Sequence, residues 1–431
     1  MPRDVSTPVL VLGCHHGGLA IARSLGRWGV EAHVVESDAT EPGLRSRYWR
    51  GHMTWSIRRS PVDQTLDLLI GYGRRLGRRP LLIPTTDDTA LFVARHAETL
   101  SFAFRFPRLP LETVEALCNK RKLYYLATSL GVPTPFTTFP ESVSEVDCFA
   151  RDAQFPVMVK GIDGLRLERR TGRKMAIART PEELRSLYSL LEEPGSPNLM
   201  LQEYIPGADD TIWMFNGYFD ATSECRAAFT GRKLRQHPVH TGATSLGLCT
   251  ANRRVAEQTI DFMQRIRYRG IIDIGWRFDA RDESYKLLDP NPRIGSTFRL
   301  FCGLDGMDVA RFLYCDLTGQ ALPVSVPAEG RKWLVEDRDL ESVRDYMSEG
   351  TLTVREWVRS FRGVQETAWF ARDDLAPFRT MLQRMCGRIL RRTFRLGKTA
   401  GPATEQPVAQ SPSQHALAGP TIDSTPRSSP T

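Results

Sequence analysis

The hydrophobic positions of the chain fall in short runs separated by amphipathic stretches, a pattern of alternating strand and helix. Residues 8–12 (PVLVL) form an apolar run, GCHHGG follows, and LAIARSLGRWGV then sets Leu19, Ile21, Ala22 and Leu25 on a helical face that Gly29 ends. AHVVE reads as a second strand, ending in Glu36 and Ser37. Strand, glycine loop, helix and strand within about thirty residues make a βαβ unit with a parallel pair. LLIPT at 81–85 adds a strand after a helix around 61–76, so residues 1–110 read as a small doubly wound α/β domain.

The pattern changes at Leu111. A helix-rich stretch runs to about Leu130, and GVPTP breaks it because its prolines force extended backbone. FPVMVK (155–160) reads as a strand ending in a lysine, residues 161–174 as a polar loop, MAIAR as a strand, and Pro181 to Leu191 as a helix. LMLQEYI (199–205), TIWMFNGYF, CRAAFTGRKLRQ, a helix at 253–268, IIDIGWRFDA and YKLLDPNPR complete residues 111–320. Strands mixed with antiparallel hairpins make this part α+β. Residues 321–396 form an α/β extension that ends in a basic amphipathic helix. Residues 397–431 are rich in Pro, Ser and Thr with almost no large apolar side chain, and are expected to be disordered.

Composition narrows the function classes. The 431 residues suit two to three domains, and 41% hydrophobic with 25% charged residues is ordinary for a globular chain. No apolar run approaches the ~18–20 residues that span a bilayer, and the N-terminus lacks the pattern of a signal peptide, so a cytoplasmic location is expected. The eight cysteines form no CxxC pair, which argues for buried thiols rather than zinc or disulfides. The net charge of +8 is uneven: no acid lies between Asp374 and Glu405, while Arg379, Arg384, Arg388, Arg391, Arg392, Arg395 and Lys398 do. The basic balance is therefore partly a property of the C-terminal helix and does not imply nucleic acid. In that helix Phe378, Met381, Leu382, Met385, Ile389 and Leu396 fall on one stripe. Packing on its own domain is the expectation, with contact to an anionic membrane surface as the competing reading.

Four segments carry candidate chemistry. GCHHGG, Gly13 to Gly18, lies between a strand and a helix; alone it suggests an anion or dinucleotide site with Glu36 on a ribose, although His15 replaces the second glycine of GxGxxG. Lys120 opens a helix and Lys160 ends a strand, and a polyanion such as ATP needs cations from different elements. LMLQEYIPGADD is a strand running into a hinge-like turn, where backbone groups suit an adenine edge and Asp209 or Asp210 a ribose. IIDIGWRFDARDESYKLLDPNPRIGS places Asp273, Gly275 and Arg277 on one face of a strand and Asp289 with Asn291 on one face of the next. Hard oxygen ligands converging from paired strands suit Mg²⁺, and Arg293 adds an anion clamp.

In this order the segments resemble the ATP-grasp superfamily of the carboxylate–amine ligase type, over residues 8–320. The resemblance implies an N-terminal pre-ATP-grasp domain followed by a two-lobed ATP-grasp domain. It further implies that Lys120 and Lys160 contact the ATP phosphates, that Gln202, Glu203, Tyr204 and Ile205 line the adenine pocket, and that Asp210 serves the ribose. Asp289 and Asn291 would bind magnesium, with manganese as the alternative ion. Asp273 would replace a carboxylate where this chain has Gly275. Arg293 would hold the acyl phosphate or its carboxylate precursor, and Lys233 and Arg235 would face the same cleft. The implied reaction joins a small-molecule carboxylate to an amine through an acyl phosphate, and homodimers are common in the superfamily. Two readings compete: a nicotinamide-dependent dehydrogenase using the first 110 residues, and a non-catalytic nucleotide-binding regulator.

Overall fold

The computed structural model describes residues 3–399 apart from Lys174 and Pro194, without the side chains of 389–399. The expectation of disorder over 397–431 therefore lies, from residue 400 onward, outside the described residues.

Apolar runs too short to be helices build the first sheet: β1 (Val9–Leu12), β2 (Ala32–Glu36), β3 (Trp49–Thr54) and β4 (Leu81–Pro84). All are parallel, in the order β3-β2-β1-β4. Every residue of β1 is buried, as a strand covered on both faces requires. β3 is absent from the sequence reading because it is an edge strand that alternates half-buried and exposed positions and carries Gly51.

The second sheet contains β5 (Thr137–Thr138), β6 (Val157–Gly161), β7 (Met175–Ala178) and β8 (Leu199–Glu203), antiparallel in the order β5-β8-β6-β7. It has its own core, including Val146, Val159, Leu184 and Leu201, and forms a lid. The stretch 161–174, expected as a polar loop, holds the helix Gly164–Thr171. Asp163 caps it by accepting from the Arg166 amide at 3.0 Å, Gly172 ends it at φ +73°, and Leu167 buries its single apolar anchor. With one anchor and four arginines nearby, the pattern looked like loop.

The third sheet has seven strands: β9 (Ile212–Phe219), β10 (Cys225–His237), β11 (Ala243–Cys249), β12 (Gly270–Asp279), β13 (Ser284–Asn291), β14 (Lys332–Leu334) and β15 (Val364–Thr367). Their order is β13-β12-β9-β10-β11-β14-β15, antiparallel except for the β14–β15 pair. One core joins Val9 and Val11 of the first sheet to Met214 and Phe229, and to Trp333, Trp369 and Met381 of the extension. A second core packs the helix Arg253–Arg265 on Phe215, Ile272 and Trp276. The extension is thus part of the same packed body as the strands it follows.

The last helix runs Ala376–Thr399. Met381 is buried, Phe378 and Leu382 pack on the core, and Arg384 pairs with Asp38 and Glu41. The compact unit formed with the rest of the chain ends at Arg384. The stripe residues Ile389 and Leu396 lie outside the described side chains. No helix among the described residues is long and apolar enough to cross a membrane.

Candidate active site

A cleft of about 2160 Å³ is lined by the lid, the large sheet and the C-terminal ends of β1, β2 and β4. The loops beyond the ends of parallel strands are the usual place for ligands in an open α/β sheet.

Cations reach this cleft from three elements. Lys120 opens the helix Lys120–Ser129, capped by Asn119, and its Nζ donates to the carbonyls of Gly161 and Ile162 at 3.0 and 3.2 Å. Lys160, on β6, donates to Gln202 Oε1 at 2.7 Å. Gln202 turns its Nε2 to Thr137 Oγ1 at 2.9 Å, which fixes which end of the amide meets the lysine. Burial, with Lys120 beside it, lowers the Lys160 pKa to about 8. Lys233 enters from β10, and burial lowers its pKa to about 8 despite the opposing field of Asp273. A desolvated ammonium without a carboxylate partner is costly by itself and is relieved by an anionic ligand.

The acidic face is built by cross-strand pairing. Asp273 of β12 stands opposite Asn291 of β13, and Gly275 opposite Asp289, so all four share one face. Asp273 is half-buried, and loss of water raises its pKa to about 6 against the pull of Arg293. Asp289 opens onto the cleft but is closely surrounded by protein; desolvation and then Asp87 raise its pKa, with Lys120, Arg293 and Lys160 opposing. Neither carboxylate makes a hydrogen bond among the described residues. Gly295 is required beside Asp273, because a Cβ there would collide with Asp273 Oδ2. Asn291 donates to the Asp273 carbonyl at 3.3 Å and accepts from Arg293 Nη2 at 2.7 Å. Two unpartnered carboxylates and an amide oxygen on one face are a donor set that fits a hard cation such as Mg²⁺, which needs only one or two carboxylates beside phosphate oxygens and water.

Arg293 bridges the domains: its Nε donates to Asp87 Oδ1 at 3.0 Å, from the helix that follows β4. Asp87 was missed by the sequence reading, although an acid just past the end of a parallel strand is where such a partner is found. His15 of the glycine loop also lines the cleft, and so does Gln236, which was missed.

Several expected residues sit differently. Arg235, expected to face the cleft with Lys233, turns away from it into a buried bidentate pair with Asp339 at 2.7 and 2.9 Å. Irregular register on both sides of Arg235, between β10 and β11, breaks the alternation. Asp210 faces outward to Arg232 at 3.5 Å and is not a cleft residue, while Asp209 is buried beneath it. Tyr204 and Ile205 line the cleft as expected from the hinge, and so does Glu203. The Glu203 carboxylate, however, is occupied by the Phe136 amide, Lys286 and Arg281 at 2.8, 3.0 and 2.8 Å. Glu36, the expected ribose acceptor of the dinucleotide reading, is likewise consumed: it accepts from the amides of Cys14, Ser37 and Asp38 at 2.7, 2.6 and 3.0 Å. The glycine loop itself packs on the other domain, since a Cβ on Gly17 would touch the Gly295 carbonyl at 3.4 Å. These contacts remove the basis for a nicotinamide site.

A lid over a large sheet, a parallel N-terminal sheet, and an acid–Asn–Arg strand end in one cleft with lysines agree with the two-part α/β fold that the resemblance implied. No family model matches the sequence. The chain is similar to the D-aspartate ligase of Enterococcus faecium (strain Aus0004), with 26% identity over 319 residues, covering 70% of this chain and 75% of that protein. Among solved structures, N5-carboxyaminoimidazole synthetase from Staphylococcus aureus complexed with ADP superposes with a TM-score of 0.60 and 12% identity, over 81% of this chain and 87% of that one. The biotin carboxylase domain of 2-oxoglutarate carboxylase from Hydrogenobacter thermophilus, in complex with MgADP and bicarbonate, gives 0.56 and 16%, over 75% and 73%. At these identities the two structures establish the fold.

Proposed function

We propose that the protein is an ATP-dependent carboxylate–amine ligase that forms an amide through an acyl phosphate. The observation that carries this reading is the gathering, in one cleft, of Asp273, Asp289, Asn291 and Arg293 with Lys120, Lys160 and Lys233. In the first step a carboxylate oxygen attacks the γ-phosphorus of ATP and the bond to the β-phosphate oxygen breaks, releasing ADP. In the second, the amine nitrogen attacks the acyl carbon, the bond to the phosphate oxygen breaks, and the nitrogen loses a proton. Little covalent chemistry falls to the protein, so its contribution is positioning and charge neutralisation. Lys120 and Lys160 offset the phosphate charge, and the backbone of Glu203 to Ile205 receives the adenine. Arg293 meets the acyl phosphate by exchanging part of its bonding to Asp87 and Asn291. Asp273, Asp289 and Asn291 would hold Mg²⁺, which supplies charge neutralisation between phosphate oxygens when bound.

The substrates belong to the small carboxylates and amines, and the relative named for D-aspartate makes an amino dicarboxylate the first carboxylate to try. The test is release of ADP and phosphate by purified protein with MgATP, D-aspartate or other amino acids, and a panel of amines. ADP formation that depends on both co-substrates, with a new amide product by mass, is the expected result. No turnover across the panel, with no ATP binding, would sink the reading.

A further inference from the structure

We propose that Asp209, Gln236 and Tyr346 are positioning residues, a buried relay through which the helix Glu336–Ser348 of the C-terminal extension fixes the ammonium of Lys233 in the cleft. The catalytic half of this inference rests on the ligase reading; the relay itself does not.

The relay begins at Lys233 Nζ, which donates to Gln236 Oε1 at 3.1 Å and to the Gly242 carbonyl at 2.9 Å. An ammonium has three N–H groups, so one is left for a ligand in the cleft that Lys233 lines. Gln236 can serve as acceptor only if its amide is held one way round. Its Nε2 donates to Asp209 Oδ1 at 2.9 Å, and a carboxylate only accepts, so the Gln236 oxygen is directed to the lysine. Gln236 is 1% exposed and Asp209 9% exposed, leaving water little part in this geometry. Asp209 in turn is gripped on its other oxygen by the Tyr346 hydroxyl, which also accepts from the backbone N–H of Gln236 at 3.0 Å. His240 closes the ring, meeting Asp209 Oδ1 at 3.1 Å and Glu349 Oε2 at 2.8 Å.

The helix that carries Tyr346 is itself fixed to β10, and this gives Arg235 its place. The Arg235–Asp339 pair, joined by Trp357 Nε1 to Asp339 Oδ2 at 2.9 Å, anchors the helix one strand position from Gln236. The irregular register at Arg235 therefore has two effects: it sends Arg235 to the extension and brings Gln236 to the cleft beside Lys233. Tyr346 and Asp209 do not border the cleft, so they act through Gln236.

Tyr346→Phe removes only the hydroxyl and keeps the ring in place. Two readouts are made on the full chain. The first is trace acetylation of lysine amines by acetic anhydride, read by peptide mass, with Lys286 as the internal standard. Acetylation of Lys233 should rise several-fold in the variant while that of Lys286 stays level. The second is steady-state kinetics, where kcat should fall about 10-fold with the KM for ATP within about 2-fold, the pattern of an interaction lost in the chemical step. Unchanged Lys233 acetylation overturns the relay, whatever happens to kcat. Raised acetylation in a protein that shows no ATP-dependent ligation keeps the relay and rejects the ligase reading. Raised acetylation with unaltered kcat overturns the catalytic half. Should Tyr346→Phe not fold, Gln236→Met, of similar length but without the amide, reports on the same contacts with the same expected results.

Discussion

Asp273 and Asp289 stand on the same sheet face but meet water differently, and their replacements should behave differently. Asp289 opens onto the cleft and holds no hydrogen bond among the described residues, so Asp289→Asn removes charge without leaving an unpaired partner. The expected outcome is a loss of about 100-fold or more in kcat, in the range seen when one charge-stabilising group is removed. The melting temperature of the metal-free protein should not fall, since desolvation and Asp87 already disfavour the Asp289 charge, and thermal unfolding checks this beside ADP release. Asp273 carries a pH signature. Its folded pKa of about 6 lies above its ordinary value of 3.8, so the folded state binds the proton more tightly than the unfolded. That contribution to stability is present below the ordinary value and is lost as pH rises through 6. Asp273→Asn should therefore stabilise the metal-free protein at pH 7.5, by about 1–2 kcal/mol after allowance for partial exposure, and do little near pH 3.5. Urea unfolding in EDTA at the two pH values measures it; an equal effect at both would show that the charge is not penalised.

At the scale of elements, the helix Ala376–Thr399 shows why an amphipathic pattern by itself leaves two readings open. The sequence places apolar and basic faces on one helix, and a core and a membrane surface both accept that arrangement. The burial of Met381 at 3% exposure and the ion pairs of Arg384 with Asp38 and Glu41 assign its first turns to packing. A chain ending at Pro377 should lose Phe378, Met381 and Leu382 from the core, expose their apolar seat, and aggregate. Loss of a buried methionine alone costs about 2–5 kcal/mol. A chain ending at Gly397 should keep its ATP-dependent activity. Size-exclusion chromatography of the two truncations separates the outcomes, and a monodisperse, active protein ending at Pro377 would refute the packing role.

For the whole molecule, the lid has its own core, so a ligand held between the lid and the large sheet adds to the polar ties, such as Glu203 with Lys286 and Arg281, that already join them. MgATP should therefore raise the stability of the native state by mass action, by about 2.7 kcal/mol at a hundredfold excess over its Kd. NAD should give no comparable shift, since the Glu36 carboxylate that would take a ribose already accepts from three backbone amides. Thermal shift with the two nucleotides is the measurement, and stabilisation by NAD without MgATP would reverse the assignment of the cleft.

What the sequence determined by itself was local. Strand runs such as VLVL, the lysine near the end of β6, and the spacing of Asp289 and Asn291 at the end of β13 with Arg293 just beyond depend only on side-chain period and chain direction, so these residues of the cleft could be marked in advance. What the tertiary structure alone decided involved partners far along the chain. Arg235 shares its expected face with Lys233 until irregular register in β10 turns it to Asp339, 104 residues away. Glu203 appears free in its turn, yet Lys286 and Arg281, 83 and 78 residues later, take its carboxylate. The extension looked like an appendage, yet Tyr346 reaches Asp209 and Trp369 shares a core with Val9. Period and propensity fix which way a residue faces along its own strand or helix; register shifts, ion pairs and shared cores depend on which elements meet, and only close packing of the folded chain settles that.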